Sequence, residues 1–204
     1  MAKILVTGFT PFAGRSVNAS WLAARWLAEN HPSPHLIHAA LLPVVWGVSA
    51  EIISELVKSY EPDLVIAMGE GHRGRFAIET RARNQRSQRE DNSGRLPATA
   101  FIAEQGSDQH LCEIDADSLC IKLVNKGYPA QKSDDAGAFI CEETLYFLES
   151  LRRSSYRKMQ VVFCHLPPFG TELQVADQPV VCDQPLLSQF ASDLLQTLTA
   201  MSDH

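Results

Sequence analysis

Residues 63–68 read DLVIAM, an apolar run of strand length with no polar alternation. A strand with one wet face would alternate, so this run reads as one covered on both faces, at the centre of a sheet between two helix layers. Upstream, Lys3 to Thr7 reads as another buried strand and His35 to Leu42 as a second, and downstream Gln160 to Cys164 (QVVFC) reads as the last. Helical periodicity fills the intervals. It runs from Ser16 to Asn30 (Trp21, Leu22, Ala24, Trp26, Leu27), from about Val48 to Tyr60, from Asp115 to Lys126 with a stop at Gly127, and from Gln184 to Met201. Alternating strands and helices predict the α/β class: a three-layer α/β/α sandwich around a mixed, mostly parallel sheet, in a single domain over residues 1–204.

Composition narrows the function. Hydrophobic residues at 45% and charged residues at 21% are ordinary globular values, which exclude a disordered chain and give no sign of a membrane protein. A net charge of −6 argues against a nucleic-acid partner, so the basic stretch from Arg73 to Arg89 has a local role. Cys112, Cys120, Cys141, Cys164 and Cys182 are odd in number and lack C-x-x-C spacing, which suggests neither a disulfide framework nor a metal site. Free thiols imply a reducing, cytoplasmic setting. The opening MAKILVTGF is too short for a secretory apolar region, and no membrane anchor is expected. The loop GFTPFAG after the first strand departs from G-x-G-x-x-G, and Pro11 removes an amide that could grip phosphate, so no nucleotide cofactor is expected.

The chemistry gathers around residues 133–150, SDDAGAFICEETLYFLES. A polar turn through Asp134, Asp135, Ala136 and Gly137 leads into an amphipathic helix, with Cys141 in or near its first turn. Unpaired amides and the positive end of the helix dipole favour a thiolate there. A cysteine in a cytosolic chain is more often a small buried apolar residue, so the nucleophile reading depends on partners. His165 follows the last strand, at the end where open α/β sheets place their ligands. Glu79 lies in Arg75 to Arg81, which alternates like a strand, with Ala77, Glu79 and Arg81 on one face and Phe76, Ile78 and Thr80 on the other. Residues 84–110 are polar, aperiodic and read as a long loop. Phe9 and Phe12 sit in the loop after the first strand, either as ligand contacts or as plugs of the core. A cysteine, a histidine and a carboxylate are the parts of a nucleophile, base and orienter.

Five blocks, in order along nearly the whole chain, resemble the pyroglutamyl peptidase I family of cysteine peptidases. They are GFTPFAGRSVNASW, LPVVW, IETRARN, SDDAGAFIC and FCHLP. The resemblance implies a metal-independent cysteine exopeptidase that removes N-terminal pyroglutamate from peptides, without a cofactor. It implies Cys141, His165 and Glu79 as the catalytic triad, and Phe9, Phe12, Glu70, Arg89, Phe139 and Ile140 around the substrate ring. A homo-oligomer, dimer or tetramer, is implied as well. The loop GEGHRGR departs from the family's Gly-Gln-Ala-Gly-Gly-Arg type, with Glu70 in place of Gln. An ionised Glu70 at the edge of a neutral lactam would offer only acceptors, unless it turns onto Arg73 or Arg75. Two other readings stay open here. One is a binding protein whose altered loop blocks the pocket. The other is a nucleoside phosphorylase-like enzyme holding phosphate with His72, Arg73 and Arg75.

Overall fold

The computed structural model describes residues 1–202. Numbering strands and helices in chain order, the central strand β3 (Leu64–Glu70) lies between β1 (Lys3–Phe9) and β8 (Gln160–Leu166). Outside these lie β2 (Leu36–Leu42) next to β1, β4 (Phe76–Glu79) next to β8, and β7 (Ala130–Ser133) at the far edge. Within this sheet β2, β1, β3 and β8 run parallel, β4 and β7 run parallel to each other, and β4 opposes β8. The sheet is therefore mixed and mostly parallel.

Helices α1 (Ala19–Asn30), α3 (Ala116–Asn125) and α5 (Gln184–Ser202) cover one face, and α2 (Val48–Tyr60) and α4 (Ile140–Ser154) cover the other. The apolar run of β3 feeds both cores. Ile66 and Met68 enter the first, Val65 and Ala67 the second, all four with no exposed surface. Burying a side chain the size of Ile or Met contributes about 1.5–3 kcal/mol, so a polar residue at any of these positions would open the sandwich.

Several boundaries differ from the periodicity, each for a local reason. Helix α1 starts at Ala19 rather than Ser16, because Asn18 takes the cap position and its Oδ1 accepts from the Ser20 amide at 3.0 Å. The alternating run at Arg75 to Arg81 is broken at Thr80. There the chain leaves the main sheet, and β5 (Arg81–Arg83) pairs with β6 (Gln109–Leu111) in a separate two-stranded ladder. The Thr80 amide and hydroxyl both donate to Ser133 O, which holds the break in place. Phe76 and Ile78 nevertheless enter the first core, so Glu79 projects to the opposite face. Edge strand β7 and the hairpin β9 (Glu172–Val175) and β10 (Gln178–Val181) carry too little apolar sequence to read as strands. The hairpin turns on Ala176 and Asp177, both at positive φ.

Candidate active site

Three neighbouring strands supply the site, two by the carboxyl ends of parallel strands and one from the antiparallel β4. His165 sits one residue before the end of β8, Gly69 pairs with it on β3, and Glu79 ends the antiparallel neighbour β4. Cys141 is the second residue of α4. The turn before α4 is tight: Gly137 has φ +93° and Ala138 φ +51°, and Phe139 occupies the cap position without a side-chain cap bond. The first-turn amides of α4 therefore point out of the helix beside the Cys141 sulfur with no intrahelical acceptor.

His165 Nδ1 lies 2.7 Å from Glu79 Oε1, with both side chains buried, and this turns Nε2 towards Cys141. A Cβ placed on Gly69 would lie 2.8 Å from Cys141 Sγ and 3.3 Å from His165 Nε2, so sulfur and ring nitrogen meet over the bare backbone of Gly69. A Cβ on Gly71 would lie 2.5 Å from His165 Cβ. Any larger residue at either place would displace the pair. Burial lowers the His165 pKa, but the charge and contact of the Cys141 sulfur and the Glu79 carboxylate outweigh it and push it up to about 10. The imidazole is thus held charged beside the sulfur, and Glu79 Oε2 is buried without a hydrogen-bond partner among the described residues.

The nucleophile helix is clamped by two fully buried carboxylates next to Cys141. Glu142 receives the Arg83 amide at 2.6 Å and its guanidinium at 2.9 Å, and also the Ala138 amide at 3.2 Å. Glu143 pairs with Arg86 at 2.5 Å and receives the Gly47 amide at 2.8 Å. These bonds tie α4 to β5, to the long loop and to the segment after LPVVW. Trp46 joins them, with its ring edge-on to Phe139 at 5.0 Å and its indole N–H donating to Arg89 O at 3.0 Å.

Cys141 and His165 open onto a cavity of about 200 Å³. Phe9, Phe12, Phe139 and Ile140 line it, as do Glu70 and Arg89, so the structure brings all six sequence-derived pocket residues to one place. The Arg89 guanidinium lies 4.5 Å from the centre of the Phe139 ring and 5.5 Å from that of Phe12. Asn18, His72 and Asp135 line the same cavity; Asn18 and Asp135 were missed by sequence reasoning, and His72 was read only as a phosphate holder. Asn18 and Asp135 lay within quoted motifs, but nothing in a capping residue or a turn aspartate marks it as a pocket wall.

Glu70 requires a correction. Its carboxylate turns onto neither Arg73 nor Arg75. Oε2 pairs with Arg15 Nη1 at 2.9 Å, and Oε1 accepts from the amides of Ala19 at 2.9 Å and Phe169 at 3.2 Å. The start of α1 attracts the negative charge, and Arg15 approaches from the preceding loop. The phosphate-holding cluster also fails to form. His72 faces the cavity, Arg73 lines a separate groove with Arg15 and Phe169, and Arg75 lies against the Gln131 side-chain amide, which offers it an oxygen at 2.9 Å when the amide is turned over. Nor does the altered glycine loop fill the cavity that it borders.

An α/β sandwich that brings a helix-start cysteine to a strand-end imidazole backed by a buried carboxylate has the arrangement of a cysteine-nucleophile hydrolase. Comparison with known proteins narrows that class. The pyroglutamyl peptidase family profile matches residues 2–191. A pyrrolidone-carboxylate peptidase of Clostridium perfringens is 33% identical over 180 residues, covering 87% of this chain and 83% of that protein. One from Finegoldia magna is 32% identical over 204 residues, covering 99% and 94%. Among solved structures, pyroglutamyl peptidase I of Bacillus amyloliquefaciens superposes with a TM-score of 0.86 at 25% identity, covering 98% of each chain. The chain belongs to the pyroglutamyl peptidase family.

Proposed function

We propose that the protein is a cysteine exopeptidase that removes an N-terminal pyroglutamyl residue from peptides, with Cys141 as nucleophile, His165 as acid and base, and Glu79 as the group that orients the ring. The observation that carries this reading is the meeting of Cys141 and His165 at the mouth of a small, aromatic-walled cavity. A five-membered lactam is small and uncharged, so shape and a few amide bonds must recognise it. Phe9, Phe12, Phe139 and Ile140 supply the shape. The relatives that match over most of the chain carry the name pyrrolidone-carboxylate peptidase, which supports the same substrate class.

In the reaction the Cys141 thiolate adds to the pyroglutamyl carbonyl carbon, and the oxyanion faces the free first-turn amides of α4. Arg89 adds positive charge at the same cavity. The tetrahedral adduct collapses with cleavage of the C–N bond. The proton on His165 Nε2 passes to the leaving nitrogen, so the shortened peptide departs as an amine and an acyl thioester remains. Neutral His165 then takes a proton from water as the hydroxyl adds to the thioester. Collapse expels the thiolate, releases pyroglutamate and restores the ion pair. Throughout, Glu79 fixes the ring through Nδ1 and balances its charge.

The reading includes cytoplasmic residence, consistent with five free cysteines, and assembly into a dimer or tetramer as the family resemblance implies. Among the described residues no helix is long and apolar enough to cross a membrane. The test is release of aminocoumarin from a pyroglutamyl-aminocoumarin reporter, with a matched alanyl reporter as control. Turnover of the first and not the second supports the proposal. Phosphate-dependent release of a free base from a nucleoside would replace it.

A further inference from the structure

We infer that Glu70 is a positioning residue for the lactam pocket, a strut joining three segments around it, and that it does not itself read the lactam. The inference rests on the proposed peptidase function. The carboxylate is 2% exposed, and burial of an ionised group requires partners. It has three, each from a different segment. Arg15 belongs to the loop that follows Phe9, the last residue of β1, and carries Phe12 past the cavity; Ala19 is the first residue of α1, and Phe169 belongs to the loop that follows β8. Glu70 itself ends β3 in register with Leu166, and the next amide, Gly71 N, donates to Leu166 O at 2.8 Å. The side chain therefore connects the aromatic wall, a helix start and the segment behind the catalytic imidazole.

The chemistry of the three bonds requires a carboxylate. Oε1 accepts two amides and Oε2 accepts the guanidinium, so three of the carboxylate's roughly four acceptor sites are taken within the protein and Oε1 is filled. A glutamine could keep the two amides on its oxygen. Its NH2 group would then face the Arg15 guanidinium donor to donor, which repels rather than joins. Arg15 and Glu70 thus act as a unit. Asn18, another buried polar side chain of the wall, is also engaged internally, donating to Thr10 O and accepting from Ser20. The Glu70 carboxylate and the Asn18 amide of the wall are thus both engaged within the protein.

The experiment compares the wild type with Glu70→Gln, Arg15→Met and the double variant by two readouts. One is kcat and KM on the pyroglutamyl reporter, together with the rate at which iodoacetamide alkylates Cys141. The other is amide hydrogen exchange in residues 9–19 and 167–170. Each single variant should raise KM about two- to fivefold, the size of one lost ion pair with an exposed partner, with kcat and the alkylation rate unchanged. The double variant should be no worse than the worse single, and exchange should quicken in both segments. A lower KM in Glu70→Gln, with no effect of Arg15→Met, would show that Glu70 meets the lactam directly and would overturn the strut. Additive losses, or exchange that does not change, would also overturn it. If no protein turns over the reporter while exchange quickens as expected, the strut stands and the peptidase reading fails.

Discussion

Glu79 Oε1 lies 2.7 Å from His165 Nδ1, and both side chains are buried. A carboxylate there holds the ring in one orientation and stabilises its charged form. Glu79→Gln keeps an acceptor for Nδ1–H but removes the charge. We expect kcat/KM on the reporter to fall about 10²-fold or more, the scale of a disabled acid–base group. A loss smaller than about fivefold would mean that Glu79 is only a packing residue.

The raised His165 pKa has a definite sign. The group moves from 6.5 in the unfolded chain to about 10 in the fold, so its contribution to stability is full below pH 6.5 and is lost as pH rises towards about 10. The stability advantage of the wild type over His165→Gln, followed by urea unfolding, should therefore shrink between pH 6.5 and 10. The His165 ring resonance should titrate near the upper end of that range. Titration near 6.5 would show that the ion pair does not form in solution.

Gly69 tests the close approach of sulfur and ring. With a Cβ 2.8 Å from Cys141 Sγ, Gly69→Ala must separate the reacting atoms. A displacement of about 1 Å costs on the order of 10²-fold in rate, so kcat should fall by that order while the protein remains folded by circular dichroism. Near-normal turnover in Gly69→Ala would contradict the geometry.

Much of this was legible in the sequence because it rests on local signals. The apolar run of β3, the stop after α3 and the cysteine at the start of α4 announce themselves through periodicity and turn chemistry. The resemblance supplied the pairing of Glu79 with His165, 86 positions apart, which periodicity does not reveal. What stayed hidden depends on tertiary pairing. Thr80 reads as a strand residue until Ser133 takes its donors. Glu70 looks adjacent to Arg73 and Arg75 in the chain, whereas the fold hands it Arg15, 55 residues away. Glu142 and Glu143 look like a wet helix face, yet both are fully buried, because Arg83 and Arg86 reach over α4.

That buried clamp predicts a stability effect. Glu143→Ala leaves Arg86, 12% exposed in its side chain, without its carboxylate, and removing one partner of a buried pair costs about 3–5 kcal/mol. Urea unfolding at neutral pH should show a loss of that order. A cost under about 1 kcal/mol would place the pair among ordinary surface contacts.

Thiol reactivity should single out the nucleophile. Burial raises the pKa of Cys112, Cys120 and Cys164, and pushes Cys182 up to about 12, whereas Cys141 is partly exposed beside a cationic ring. Iodoacetamide should modify Cys141 first, by peptide mass mapping, and activity should disappear in step with that one modification. Even labelling of all five cysteines would contradict this.

The central claim is that Cys141 performs the hydrolysis of a pyroglutamyl bond, and the most direct measurement is reporter turnover by the wild type and Cys141→Ala side by side. The wild type should release aminocoumarin steadily from the pyroglutamyl reporter. The folded variant should show a rate indistinguishable from buffer. Turnover that survives in Cys141→Ala, or a folded wild type that leaves the pyroglutamyl reporter intact, would contradict the claim.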